Sequence, residues 1–176
     1  MKKLITGLVL GTALLTGGCA STQPMDPKVD VVAELKDAQK PLYASLIEPL
    51  DKDKPLLVTS FANIDNLTES STFGRLSADL IAAGLTDRGY KLIEVKMRDS
   101  LFIKQGAGEF MLSRQVQHLS QKHDAQAVLL GTYAVGGSNV YLNVRLVRSS
   151  DNIVLSTYDF QLPINKDIKH MLNKRR

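Results

Sequence analysis

Val140-Tyr141-Leu142-Asn143-Val144-Arg145-Leu146 alternates apolar and polar side chains without a break. Successive side chains of a strand point to opposite faces, so this stretch is a half-buried β-strand. Val140, Leu142, Val144 and Leu146 face a core, and Tyr141, Asn143 and Arg145 face away from it. Immediately upstream stands Gly136-Gly137-Ser138-Asn139, a hairpin signal, and before it the apolar run Ala127 to Ala134. Downstream, Ser149-Ser150-Asp151-Asn152 predicts a second turn into a third strand, Ile153 to Leu162, closed by Pro163. Three consecutive strands joined by short turns form an antiparallel meander.

Upstream of the meander the period changes from two to 3.6. Leu56 to Phe61 reads as a compact strand, followed by a turn at Asn63-Ile64-Asp65-Asn66. Ser71 or Thr72 can cap a helix over Phe73 to Asp87, with Phe73, Leu76, Leu80, Ala83 and Gly84 as its apolar face and Gly89 as its left-handed stop. Tyr90 to Met97 reads as a second strand with Ile93, Val95 and Met97 on one face, and Leu101 to Ile103 as a short extra strand. After a loop at Gln105 to Gly108, a second helix is expected over Leu112 to Lys122, with Leu112, Val116 and Leu119 inward. Nearer the amino terminus, Val32, Leu35, Gln39, Leu42, Leu46 and Leu50 fall at helical spacing, flanked by Val31, Tyr43 and Ile47. Pro41 should break this segment and open a second helix.

The expected fold is therefore α+β: a β-α-β-α-β-β-β sandwich with helices on one face of a mixed sheet, preceded by an amino-terminal helical segment. The expected divisions are a leader at 1–18, a tether at 19–28, helices at 29–54, the folded domain at 55–163 and a basic tail at 164–176. The length suits one domain with a real core.

The leader opens with Lys2 and Lys3, continues as an apolar stretch from Leu4 to Leu15, and ends in Thr16-Gly17-Gly18-Cys19. The apolar stretch is too short to cross a bilayer as a settled helix and has the layout of a secretory signal. Cys19 is the only cysteine of the chain. Its place after two small residues resembles the lipobox of bacterial lipoproteins, with Thr16 where the commonest lipobox has Leu. The resemblance implies acylation of Cys19, palmitate among its acyl chains, and cleavage before it. Two or more chains anchor stably. Ala20, rather than Asp, follows the cysteine, which by the Gram-negative sorting rule implies the outer membrane. The tether is short and contains Pro24 and Pro27, so it gives the domain little reach.

Charge and composition limit the function. The net charge is +4, and two of those charges, Lys2 and Lys3, belong to the leader, so the pI of 9.2 is weak support for a nucleic-acid binder. No nucleic-acid partner is expected of an exported chain. His118 and His123 are five residues apart on one expected helix, not stacked as a metal pair would be. Ser60, Ser70, Ser71 and Ser113 have no evident base, and there is no Gly-x-Ser-x-Gly elbow. Gly106-Ala107-Gly108 lacks the Lys of a phosphate loop. No catalytic residue, metal ligand or cofactor is assigned, and the chain is not expected to be an enzyme.

From about Pro55 to Leu162 the chain resembles the FlgO family of flagellar outer-membrane lipoproteins. The matching residues are Val58-Thr59-Ser60-Phe61, Leu67, Phe73-Gly74-Arg75, Arg98-Asp99, Gly108-Glu109-Phe110-Met111-Leu112-Ser113-Arg114 and Gly131-Thr132-Tyr133, in that order. The resemblance implies a non-enzymatic part of the outer-membrane end of a flagellum, needed for motility. Its partners would be the outer membrane, reached through the lipid, basal-body or other envelope proteins, and further copies of the chain. Arg75, Arg98, Glu109 and Arg114 are the polar members of the motifs. They read either as a surface for a neighbour or as structural groups, Glu109 pairing with Arg98 or Arg114 to fix the loop before the second helix. The alternative function is an envelope lipoprotein that regulates cell-wall synthesis, or another envelope assembly, by protein–protein contact.

Overall fold

The meander forms as the alternation requires. In the computed structural model, which describes residues 26–95 and 114–173, β4 (Ala127–Val135), β5 (Asn139–Arg148) and β6 (Val154–Pro163) pair antiparallel in sequence order. Val135 faces Val140 across the Gly136–Ser138 turn, and the register runs from there to Ala127 opposite Arg148. Val140, Leu142, Val144 and Leu146 are all buried, as the alternation predicts.

The parallel half of the sheet is built from β1 (Leu56–Thr59), which pairs with both β3 (Leu92–Val95) and β4. A two-residue strand, β2 (Ala62–Asn63), also pairs with β4. The path is β3-β1-β4-β5-β6, so the mixed α+β sheet is as expected. β6 is an edge strand, and the chain after α2 covers part of its free side. Ile47 N–H donates to Leu155 O at 3.0 Å, and the hydroxyls of Ser45 and Ser156 are 2.7 Å apart. Such cover blunts an edge that would otherwise recruit another strand.

Helices α1 (Val31–Asp37), α2 (Gln39–Ala44), α3 (Thr72–Thr86) and α5 (Lys166–Asn173) share one core with the inward side chains of the sheet. Leu35, Leu42, Phe73, Ile81, Leu85 and Ile168 are fully buried there, each such burial contributing roughly 1.5–3 kcal/mol. The expected placement of helices on one face holds for these four and not for α4 (Arg114–Lys122). Val116 and Leu119 of α4 pack with Leu57, Val128, Leu130 and Val147 on the opposite face. This explains why β1 and the first part of β4 are buried on both sides, and why their sequences are apolar without alternation.

Three further differences have physical reasons. Helix α3 is capped by Ser71 as expected, its hydroxyl accepting from Gly74 N–H at 3.1 Å, but its buried face is rotated. Phe73, Ser77, Ile81 and Leu85 point inward with Gly74, Ala78, Ala82 and Gly84, while Leu76, Leu80 and Ala83 are half-buried. Small residues face inward because α1 and α2 pack closely on α3: a β-carbon at Gly84 would overlap the Gln39 side chain. The break between α1 and α2 falls at Ala38, so Pro41 lies in the first turn of α2, where its missing N–H costs little. The stretch expected to be a basic tail from 164 holds α5 instead. Asn165 caps it by accepting from Ile168 N–H at 2.9 Å, and Ile164, Met171 and Leu172 pack on the core beside Ile168. The expected strand at 101–103 and the inward Leu112 lie outside the described residues.

Candidate interaction site

Three of the sequence motifs converge on one buried knot at the amino-terminal end of α3. The Phe61 ring occupies the space above Gly131, where a β-carbon would overlap it. Phe61 N–H donates to Gly74 O at 3.2 Å, and Ser70 Oγ donates to Phe61 O at 2.8 Å. Phe73 and Tyr133 meet edge to face with centroids 6.0 Å apart. The Tyr133 hydroxyl accepts from Ser71 N–H at 3.0 Å. A β-carbon at Gly74 would strike Phe61 O and the Tyr133 ring. Val58-Thr59-Ser60-Phe61, Phe73-Gly74-Arg75 and Gly131-Thr132-Tyr133 therefore make a packing unit whose two glycines allow close approach.

Arg75 belongs to this unit. Its guanidinium donates to Ser70 O at 3.2 Å and to Thr72 Oγ1 at 3.0 Å, and the residue is half-buried. Arg114 is the first described residue of α4, on the other side of the sheet, and is exposed. Arg98, Glu109 and the lipidation residue Cys19 lie outside the described residues, so the expected Glu109 pairs do too. His118, His123 and His170 are exposed. Among the described residues no group of three His, Cys, Asp or Glu side chains could hold a metal ion, and no helix is long and apolar enough to cross a membrane.

Beyond α4 the outward face of the meander forms a shallow groove of about 360 Å³, lined by Ile64, Thr132, Ala134, Tyr141, Asn143, Asp159 and Gln161 among others. Tyr141 and Ile64 are 49% and 47% exposed. Asn143 Nδ2 donates to Asp159 Oδ1 across β5 and β6, giving the apolar floor one polar rim. Sequence reasoning placed Tyr141 and Asn143 on this face without assigning them a site. Its missed signal was an aromatic residue on the solvent side of an alternating strand. At the opposite end of β5, Arg148 bridges Glu48 and Asp151, both at 2.7 Å. These bonds, Glu48 first, raise the Arg148 pKa. The Ile153 backbone N–H and then Arg148 hold the Asp151 carboxyl below its ordinary range.

The FlgO protein family model matches residues 37–167. The chain belongs to the FlgO family. No curated protein sequence matches this chain. Among solved structures, the carboxy-terminal domain of LpoB from Salmonella enterica is similar, with a TM-score of 0.53 at 12% identity over 76% of this chain and 98% of that one. The same domain of LpoB from Escherichia coli gives 0.50 at 14% identity, with the same coverage of both chains. The solution structure of E. coli LpoB gives 0.50 at 8% identity over 93% of this chain and 84% of that one. At such low identity the likeness shows a shared fold and no more.

Proposed function

We propose that this FlgO-family chain is a lipoprotein anchored to the outer membrane through Cys19, facing the periplasm, and a structural or assembly component of the flagellar basal body needed for motility. The observation that carries the reading is the family match over 37–167, whose motif residues at 58–61, 73–75 and 131–133 meet in one buried unit. Family membership supports a flagellum-associated lipoprotein. The lipobox-like Thr16-Gly17-Gly18-Cys19 and the following Ala20 support the anchor and its membrane. An anchored domain to which no catalytic group is assigned acts by contact, with basal-body proteins or with further copies of itself.

Deletion tests this directly. Cells should stay viable with secretion intact, but swim less, through fewer or mechanically unsound flagella. Complementation should require both Cys19 and the folded domain. A deletion strain with normal flagella and swimming but altered cell-wall cross-linking would overturn the flagellar reading and favour an envelope regulator. The short tether counts against that regulator, which would have to reach the wall from the outer membrane.

A further inference from the structure

Asp26 stands seven residues after Cys19, and its carboxylate accepts from the backbone N–H of Lys166, the first residue of α5, at 3.2 and 3.4 Å. Two residues earlier, Ile164 N–H donates to Ser138 O at 2.8 Å, so the start of α5 is tied to the β4–β5 turn. The other end of α5 stays at this end of the sheet: Leu172 and Asn173 line a small polar pocket with Val135, the last residue of β4, and with Tyr133. From Val29 onward the chain packs on the core. The point where the chain enters the domain is thus fixed at the Ser138 end.

The opposite end is equally well defined. Strand β5 runs ten residues from Asn139 to Arg148, which separates its two turns by about 30 Å. At the far end Ser149 N–H donates to Gln126 O, and the Gln126 side chain holds Asp51 and Lys54. Seven residues of fully extended chain span about 25 Å at most. A lipid on Cys19 therefore holds the Ser138 end within about 25 Å of the bilayer, and the Ser150 end lies about a sheet-length from the Ser138 end along the domain. Charge at the near end is mixed: Asp65 and Glu69 line the small polar pocket, and Asp26 and Asp167 stand at the start of α5 beside its lysines. Lys166 and Lys169 are exposed on α5, and Lys174, Arg175 and Arg176 follow it in the sequence.

The geometry points to a membrane-facing end of the domain, made by α5 and the Gly136–Ser138 turn, whose lysines rest on anionic phospholipid headgroups. The Ser149–Asn152 end then projects away from the membrane. This inference rests on the Cys19 anchor proposed above. Basic residues near an anionic surface are attracted within about a Debye length, so the short tether makes such contact effective.

The full lipidated chain, carrying a fluorophore on Ser138→Cys or on Ser150→Cys, is reconstituted into phosphatidylethanolamine–phosphatidylglycerol vesicles with a headgroup-level quencher. Quenching at 138 should exceed that at 150 several-fold. Lys166→Gln with Lys169→Gln, or replacing phosphatidylglycerol by phosphatidylcholine, should markedly reduce quenching at 138 while the melting temperature of the protein stays unchanged. Equal quenching at both labels, or more at 150, overturns the orientation. Undiminished quenching at 138 in the double variant overturns the headgroup contact. Palmitate incorporation and co-flotation, measured on the same sample, separate the two readings. If neither occurs, the anchor and this inference fall together. If both occur with equal quenching, the anchor stands and the orientation falls.

Discussion

Gly131 leaves the space that the Phe61 ring fills, and a β-carbon at 131 would overlap three of its ring carbons. The ring is fully buried and cannot swing into solvent. Gly131→Ala should therefore destabilise the domain by about 1–3 kcal/mol, the usual cost of overpacking. Gly137→Ala is the control, because a β-carbon there meets nothing within 4 Å. Thermal denaturation should show a clear drop for the first and almost none for the second. Equal melting temperatures would mean that the knot is loose.

Leu142 and Asn143 are neighbours on β5 that point to opposite faces. Leu142 is buried in the main core, and Leu142→Ala should cost about 2–5 kcal/mol. Asn143 lies in the outer groove and bonds to Asp159, so Asn143→Ala should cost less than about 1.5 kcal/mol. Chemical denaturation of both variants checks the face assignment. Similar losses would reject it.

The two ends of the pH scale should act in opposite senses. Asp151 has a lowered pKa, chiefly from the Ile153 N–H and then from Arg148. Its contribution is present above the unfolded value of about 4 and is lost as pH falls through the lower folded value. The stability difference between wild type and Asp151→Asn should therefore shrink as the solution is acidified below about pH 4. Tyr90 is raised to about 12, by burial first and then by its hydrogen bond to Tyr43. The sign reverses: its contribution is complete below about pH 10 and is lost as pH rises through the folded value. Absorbance titration should find a tyrosine ionising near 12 in wild type and not in Tyr90→Phe.

The meander was legible because each strand has a period of two and each turn carries Gly, Ser, Asn or Asp. The parallel strands were legible as apolar runs, but an apolar run does not say which helix covers which face. Val116 and Leu119 read as inward, and only the packing reveals that they face the side opposite α3. The rotated face of α3 was hidden because its buried positions include Gly74, Ser77, Ala78 and Gly84, which carry little hydrophobic signal. Helix α5 was available to the sequence: Asn165 before Ile168, Met171 and Leu172 is a cap followed by an apolar stripe. The surrounding Lys and Arg residues made it read as a tail. Phe61 was legible as the end of a compact apolar strand, but not as the partner of Gly131. Arg75 was left open between contact and structure, because its two acceptors are a backbone carbonyl and a local hydroxyl that no charge pattern announces.

That difference between Arg75 and Arg114 gives the sharpest functional test. Arg75 braces the loop before α3 through Ser70 and Thr72, so Arg75→Glu leaves these oxygens facing a carboxylate. The variant should lose about 1–3 kcal/mol and fall in abundance, with motility declining in proportion. Arg114 is exposed on α4, with no side-chain bond to lose among the described residues, so its replacement leaves the packing of the helix untouched. Arg114→Glu should leave stability within about 0.5 kcal/mol of wild type, as for an exposed surface substitution. If Arg114 meets a basal-body partner, as the proposed function suggests, swimming should fall at undiminished protein abundance. Blots and soft-agar swimming, measured on the same strains, separate the two effects. Normal swimming with Arg114→Glu would remove Arg114 from the partner surface, and full abundance and stability with Arg75→Glu would remove the structural role from Arg75.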